Sequence, residues 1–254
     1  MTQGWDALDT ELALWTEQGL HLPFWWRDDD AVAPSPALTR LEDLAARMEM
    51  PVHLAIIPRD ATPELAAKVT QSAHLLPVVH GWAHKNHAPA AQKKCEFGST
   101  RPIDLTLEEA EAGLTRLKEL FGPRLIPMFV PPWNRVSSAL LPWLAGLDYA
   151  MLSTYGPRKR EHIAPGLTQI NTHLDPIDWH GSRSLRDEEE LLAGLVEILR
   201  ARRTGSQDND EPLGLLTHHL EHDDAIWRFC ETLIARLLAG PAQPWRSNDK
   251  DMRI

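Results

Sequence analysis

The stretch FWWRDDD at 24–30 sets three bulky aromatic residues directly before one cation and three carboxylates. A short unbroken apolar run of this kind marks a buried strand, and charges do not remain inside a core without partners. Asp28, Asp29 and Asp30 therefore mark the end of a strand where polar chemistry gathers. Two other stretches repeat the arrangement: VVHGWAHKNH at 78–87 and LGLLTHHLEHD at 213–223, each an apolar run that opens into histidines.

Outward from these stretches, apolar and β-rich runs predict strands at 23–26, 52–57, 75–79, 126–130, 149–153, 169–172 and 213–217. Periodic patterns predict helices at 35–48, 62–71, 106–121, 137–147, 185–202 and 223–238. Ser35 followed by Pro36 predicts an N-cap with proline in the first turn, and the run from Thr106 to Glu109 predicts a capping box. Strands alternating with helices imply parallel strands covered by helices. The expected fold is α/β, an irregular (β/α)7-type barrel spanning 1–254 as a single domain. Segment 156–168 shows no helix, 203–212 reads as an exposed loop, and 241–254 reads as an irregular tail. The polar bursts follow the first, third, fourth, sixth and last strands, at the carboxyl ends where barrels carry their sites.

With 254 residues, 43% hydrophobic and 24% charged, the chain is long enough to bury a sizeable core as one unit. A net charge of −10 argues against duplex nucleic acid or an anionic membrane as partner. Cys95 and Cys230 stand in no metal-binding spacing and read as free thiols in a reducing compartment. The first twenty residues carry acids and no apolar signal region, and no stretch has the length of a membrane span, so the expected location is cytoplasmic.

Carboxylates and imidazoles together suit a divalent ion such as Zn²⁺, whose catalytic sites keep one position open. His80 and His84, four residues apart on a helical turn, would point at the same ion. Adjacent strand residues face opposite sides, so His218 and His219 compete for one role. Trp25, Trp26, Trp82, Trp133 and Trp179 fall inside or beside the polar stretches. Trp82 and Trp133 are candidate substrate walls, since indole faces stack on sugar rings; at least one of Trp25 and Trp26 packs the barrel. The run 93–98 (KKCEFG) is either a lid or a solvated face.

Laid out in order, these residues resemble the polysaccharide deacetylase family, also called the NodB-homology or carbohydrate esterase family 4. The family's Asp-Asp pair is matched by Asp29-Asp30, its His-(Ser/Thr)-x-x-His by His80-Gly81-Trp82-Ala83-His84, and its Asp-x-x-Asp-Trp by Asp175-Pro176-Ile177-Asp178-Trp179. Leu216-Thr217-His218 matches the closing Leu-x-His, and Val130-Pro131-Pro132-Trp133-Asn134 meets Arg-x-Pro-x-Gly in part. The arginine of that third motif, which holds the catalytic aspartate in the family, is replaced by Val130. Arg27 and Arg135 are the candidates to stand in for it.

The resemblance implies a NodB-like barrel in which Asp30, His80 and His84 bind the metal. It makes Asp29 the base that takes a proton from water and His218 the acid that protonates the departing amine, with Asp178 positioning it. Asp175, Asn134, Trp179 and His219 join Trp82 and Trp133 as expected substrate contacts. The activity implied is metal-dependent removal of an N-acyl group, acetyl foremost, from an amino sugar. With no secretory signal read, a lipid-linked or nucleotide-linked sugar of surface-polysaccharide (O-antigen-like) assembly is the expected partner. The alternatives are an amidohydrolase of the same fold acting on a non-sugar amide or cyclic imide, and a carbohydrate-binding protein without catalysis.

Overall fold

The computed structural model describes residues 3–247. In chain order the regular elements are α1 (Gln3–Glu17), β1 (Leu22–Ala31), α2 (Pro36–Arg47), β2 (Val52–Ile56), α3 (Pro63–Gln71), β3 (Leu75–His80), α4 (Ile103–Phe121), β4 (Met128–Val130), α5 (Leu141–Leu144), β5 (Met151–Leu152), β6 (His162–Ala164), β7 (Leu167–Gln169), α6 (Glu188–Arg203), β8 (Leu213–Thr217), α7 (Asp224–Ala239) and β9 (Ala242–Pro244). The sheet order is β6-β7-β5-β4-β3-β2-β1-β8, parallel throughout except for the β6-β7 hairpin.

The two sheet edges approach each other through the chain that follows β7. Thr172 donates to Thr154 O beyond β5 at 3.1 Å, His173 donates to Gly214 O at 2.7 Å, and Leu216 of β8 donates to Leu174 O at 2.8 Å. Gly214 permits this approach: a Cβ there would lie 2.5 Å from the Trp25 indole nitrogen and 2.6 Å from Asn171 O. The result is the expected α/β barrel.

Alternation along β1 sorts its side chains. Trp25 packs with Ala55, Val78, Met128, Val130, Met151 and Ile170 in the inner cluster, while Trp26 belongs to the larger core between strands and helices. Both tryptophans are packing residues. Arg27 and Asp29 follow Trp25 on the inner face, and Asp28 follows Trp26 on the outer one.

Four of the helix starts are capped as their residue types dictate. The side chains of Ser35, Thr62, Asp187 and Asp223 accept from the amides of Leu38, Leu65, Glu190 and Ile226. Other expectations are corrected. Helix α4 begins at Ile103, so Thr106 sits inside its first turn and its hydroxyl donates back to Ile103 O at 2.7 Å instead of forming a capping box. The helix expected over 137–147 is confined to α5 and one 3-10 turn, because Pro142 fits only the first turn of a helix.

The acidic N-terminal stretch forms α1, with Trp5, Leu8, Leu12 and Trp15 on one buried stripe. It docks on α6 through Glu11–Arg203 and Trp5–Glu188. The tail is not irregular from 241 onward. Residues 242–244 pair with the start of β1, the Trp245 amide donates to Phe24 O at 2.7 Å, and its ring packs on His53 and Trp25. Positions 248–254 lie outside the described residues.

Candidate metal and catalytic site

β1 runs straight through the acidic triplet and does not stop at Trp26. The period of two then places Arg27 and Asp29 side by side on the inner face. Arg27 is fully buried, and all five of its N–H groups are engaged. Nε and Nη2 donate to the two Asp29 oxygens at 2.9 Å each; Nη2 also donates to Asn134 Oδ1 at 2.6 Å. Nη1 donates to Ser153 Oγ at 2.7 Å and Thr154 O at 3.3 Å. This fork-on-carboxylate geometry is the strong, directional form of a charge pair. It is Arg27, arriving from the strand itself, that touches Asp29. Arg135 is directed elsewhere: its Nη1 donates to Lys94 O at 2.8 Å in the long loop after β3.

Asp30 breaks the alternation. Its φ is +79°, and the register of β1 against β2 shifts between Asp28 and Ala31. A bulge of this kind re-aims one side chain, and here it turns Asp30 toward two histidines. Asp30 Oδ1 lies 3.1 Å from His80 Nε2 and 3.3 Å from His84 Nε2. One ligand atom from each residue lies within 4.8 Å of the others. His80 Nδ1 donates to Val130 O at 3.0 Å, which fixes the orientation of the ring and aims Nε2 at Asp30. Burial alone would raise the Asp30 pKa; the hydrogen bond and charge of His80, joined by His218 and His84, outweigh it and hold the carboxyl below its usual range. One carboxylate oxygen and two imidazole nitrogens at this spacing fit a divalent ion.

The His80–His84 segment is not the helical turn that the spacing suggests. Gly81 and His84 both adopt positive φ, +57° and +52°. The turn packs beneath the 132–134 corner, where Trp133 and Asn134 are themselves left-handed at +57° and +56°. The Trp133 ring centroid lies 4.4 Å from that of His84. This corner thus serves both halves of the site, since Asn134 reaches Arg27 while Trp133 covers His84. Trp82 is partly buried against the core.

Three histidines, His218, His219 and His222, follow β8 and have different surroundings. His219 is on the outer face and buried, its Nδ1 bonded to the fully buried Asp28. Asp28 also accepts from the His219 amide at 3.0 Å and from Thr217 Oγ1 at 2.6 Å. Burial opposes the charged form of each partner, and their attraction overcomes it: the Asp28 pKa is lowered and that of His219 raised. This pair ties the end of β8 to β1 and takes His219 out of the substrate role expected for it. His222 is neutral, its pKa lowered to about 4 by burial, and its Nε2 accepts the His218 amide at 3.3 Å.

His218 is left facing Trp179, ring centroids 4.7 Å apart and edge-on. The carboxylate on its side is Asp175, whose charge couples to His218; Asp175 accepts from Trp179 Nε1 at 2.7 Å and from the Ile177 amide at 3.0 Å. Burial raises the Asp175 pKa despite these partners. Asp178 is engaged in a local turn instead, accepting from the Gly181 amide at 3.0 Å and the Ser182 amide at 2.8 Å. Of the two aspartates it is Asp175 whose charge reaches His218, while the hydrogen bonds of Asp178 stay within its turn.

Residues beyond the sequence reading also enter the site. Ser153 and Thr154 hold the back of Arg27, and Arg183 lies 4.7 Å over the Trp179 ring while paired to Glu221. Ser153 was legible in principle, as the next inward position after Met151. Arg183 sits in a loop that carries no periodic signal.

No family model matches the sequence, and no curated protein sequence matches it. Solved structures do. The chain is similar to a family 4 carbohydrate esterase from Streptomyces lividans (13% identity, 90% of this chain and 94% of that one, TM-score 0.57). It is also similar to the peptidoglycan N-acetylglucosamine deacetylase Bc1960 (13%, 92% and 93%, TM-score 0.56) and to the peptidoglycan deacetylase PdaC from Bacillus subtilis (13%, 88% and 87%, TM-score 0.53). The fold is that of the carbohydrate esterase family 4 deacetylases, carried by a strongly divergent sequence. Among the described residues no helix is long and apolar enough to cross a membrane.

Proposed function

We propose that this protein is a metal-dependent hydrolase that removes an N-acyl group, acetyl foremost, from an amino sugar. The observation that carries the reading is the arrangement on β1: Asp29, clamped by a fully engaged arginine, stands one residue before a carboxylate that shares an oxygen between two histidines. Asp30, His80 and His84 would hold the ion, Zn²⁺ by the borderline character of the donors. A bound ion supplies Lewis acidity, drawing charge from an acyl carbonyl and making water more acidic.

The chain's own residues supply the rest. Asp29 takes a proton from the attacking water onto its carboxylate, and Arg27 fixes the direction in which that oxygen pair points. His218 delivers a proton to the departing amine nitrogen, with Asp175 and Trp179 bounding it. Trp133, Trp82 and Trp179 offer flat apolar walls for a sugar ring. The likeness to an esterase and to two peptidoglycan deacetylases supports an acyl-removing reading and a carbohydrate substrate. A lipid- or nucleotide-linked amino sugar within the cell is the preferred substrate form.

The test is incubation of the Zn²⁺-loaded protein with N-acetylated amino sugars, free, nucleotide-linked and polymeric, reading released acetate by mass spectrometry. Acetate release that Asp29→Asn abolishes supports the reading. Release from a non-sugar amide alone would move the protein to the amidohydrolase alternative.

A further inference from the structure

We propose that Glu96 is a positioning residue for the metal site, its carboxylate acting as the built-in anion around which the His80–His84 turn is folded. The inference rests on Asp30, His80 and His84 being metal ligands.

Between His80 and His84 the backbone turns without helical hydrogen bonds and places His84, a residue with a Cβ, at φ +52°. A non-glycine residue is held there only when its surroundings over-determine it. The surroundings are one buried carboxylate. Glu96 Oε1 accepts from the Ala83 amide at 2.8 Å and the Lys85 amide at 3.3 Å, and Oε2 accepts from the Trp82 amide at 3.2 Å. Nearby backbone N–H groups converging on one anion form a nest. Gly81 completes it. A Cβ at that position would lie 2.5 Å from Glu96 Oε2 and 2.5 Å from Pro132 Cδ, so a side chain at 81 and the Glu96 carboxylate exclude each other.

Glu96 is itself fixed from several directions. Arg101 donates to Glu96 O at 3.1 Å and is locked by both oxygens of Glu109. The Cys95 amide donates to Asn86 Oδ1 at 3.0 Å, and Phe97 packs edge-on against Phe129 with centroids 5.0 Å apart. Cys95, Glu96 and Phe97 are buried while 89–94 are exposed. The long loop is thus a brace with an exposed tip, which resolves the choice between lid and solvated face.

The experiment is Zn²⁺ titration by calorimetry, with Co²⁺ absorption spectra, on the full chain and on Glu96→Gln, Glu96→Ala, His84→Ala and the loop-tip control Lys93→Ala. Both Glu96 variants are expected to bind Zn²⁺ roughly 10- to 100-fold more weakly, the scale for residues that orient metal ligands, and to shift the Co²⁺ spectrum; Lys93→Ala is expected to do neither. Wild-type affinity and spectrum in both Glu96 variants, with binding lost in His84→Ala, would overturn the role of Glu96 and leave the metal reading standing. Wild-type protein that binds no ion, or His84→Ala that binds as tightly, would remove the metal reading and this inference with it. Should the Glu96 variants not fold, hydrogen exchange of the wild-type apo protein decides: slow exchange at the Trp82, Ala83 and Lys85 amides is expected, and exchange at solvent rates overturns the brace.

Discussion

Asp29 on β1 and His218 just after β8 both lie near Asp175, yet they are held in opposite ways. Asp29 receives two bonds from a buried guanidinium whose remaining N–H groups are spent on Asn134, Ser153 and Thr154. His218 has a buried Nδ1 with no hydrogen-bond partner among the described residues, and it is tied through its backbone, the amide donating to His222 and the carbonyl accepting from the Glu221 amide. On the proposed reading the contrast separates two tasks. A base has to be aimed before the substrate arrives, and the orientation of Asp29 is built into a strand. A proton donor is completed by what it serves, and His218 is bounded by Trp179 and Asp175 with its Nδ1 unbonded among the described residues.

The largest effect is expected where the most bonds converge. Arg27→Ala leaves Asp29 buried without its cation and should lower stability by about 3–5 kcal/mol, the scale for breaking a buried pair, read from the urea midpoint. A loss under about 1 kcal/mol, the scale of an exposed pair, would show that the base side is not over-determined. Asp29→Asn removes the carboxylate that would take the proton and breaks the same buried pair, so in protein that still folds turnover should fall by about 10²- to 10⁴-fold with zinc content unchanged. Ion loss in that variant would make Asp29 a ligand and collapse the distinction between it and Asp30.

On the acid side, pH probes the tie that His222 makes. Its pKa is lowered to about 4 by burial, against an ordinary value near 6.5, so the unfolded chain takes up a proton more readily than the native one. The stability it contributes is complete above about pH 6.5 and is lost as pH falls toward 4, by an amount on the order of 3 kcal/mol. Melting temperatures across pH 4–7 should show this slope, and His222→Gln should reduce it, the buried His53, lowered likewise to about 4, carrying a second share; an equal slope in both proteins would place the acid-labile group elsewhere. The smallest effect separates two aspartates. Asp175→Asn should slow turnover by about tenfold or more, a fraction of the usual range for proton-transfer groups, and Asp178→Asn should stay close to wild type. The reverse order would restore the positioning role to Asp178.

Much of this was legible in the sequence because strand and helix periods are local. The alternating barrel series and the Ser35 helix start follow from patterns within a few residues, and the gathering of Asp30, His80 and His84 from their common place at the ends of β1 and β3. The Arg27–Asp29 clamp was half legible. Its i, i+2 spacing places both on one face only if β1 continues through the acids, and three consecutive aspartates argue locally for a turn. Asp28 is tolerated in the strand because His219, nearly two hundred residues later, meets it on the outer face, a pairing no local rule reveals. The same holds for Glu96. Its neighbours KKCEFG read equally as a lid or a solvated face, and only the folded chain brings its carboxylate to three amides of the histidine turn. Asp178 shows the limit of a motif match, since its position fits the motif while its hydrogen bonds close a local turn with Gly181 and Ser182.

The central claim is that one oxygen of Asp30 and the Nε2 atoms of His80 and His84 share an ion. Elemental analysis of purified wild type, Asp30→Ala, His80→Ala and His84→Ala after equilibration with Zn²⁺ and removal of free metal tests it most directly. The account predicts close to one bound ion per wild-type chain and a loss of most of it in each variant, because two remaining donors cannot complete a site. Undiminished metal in all three variants, or none in the wild type, would contradict it.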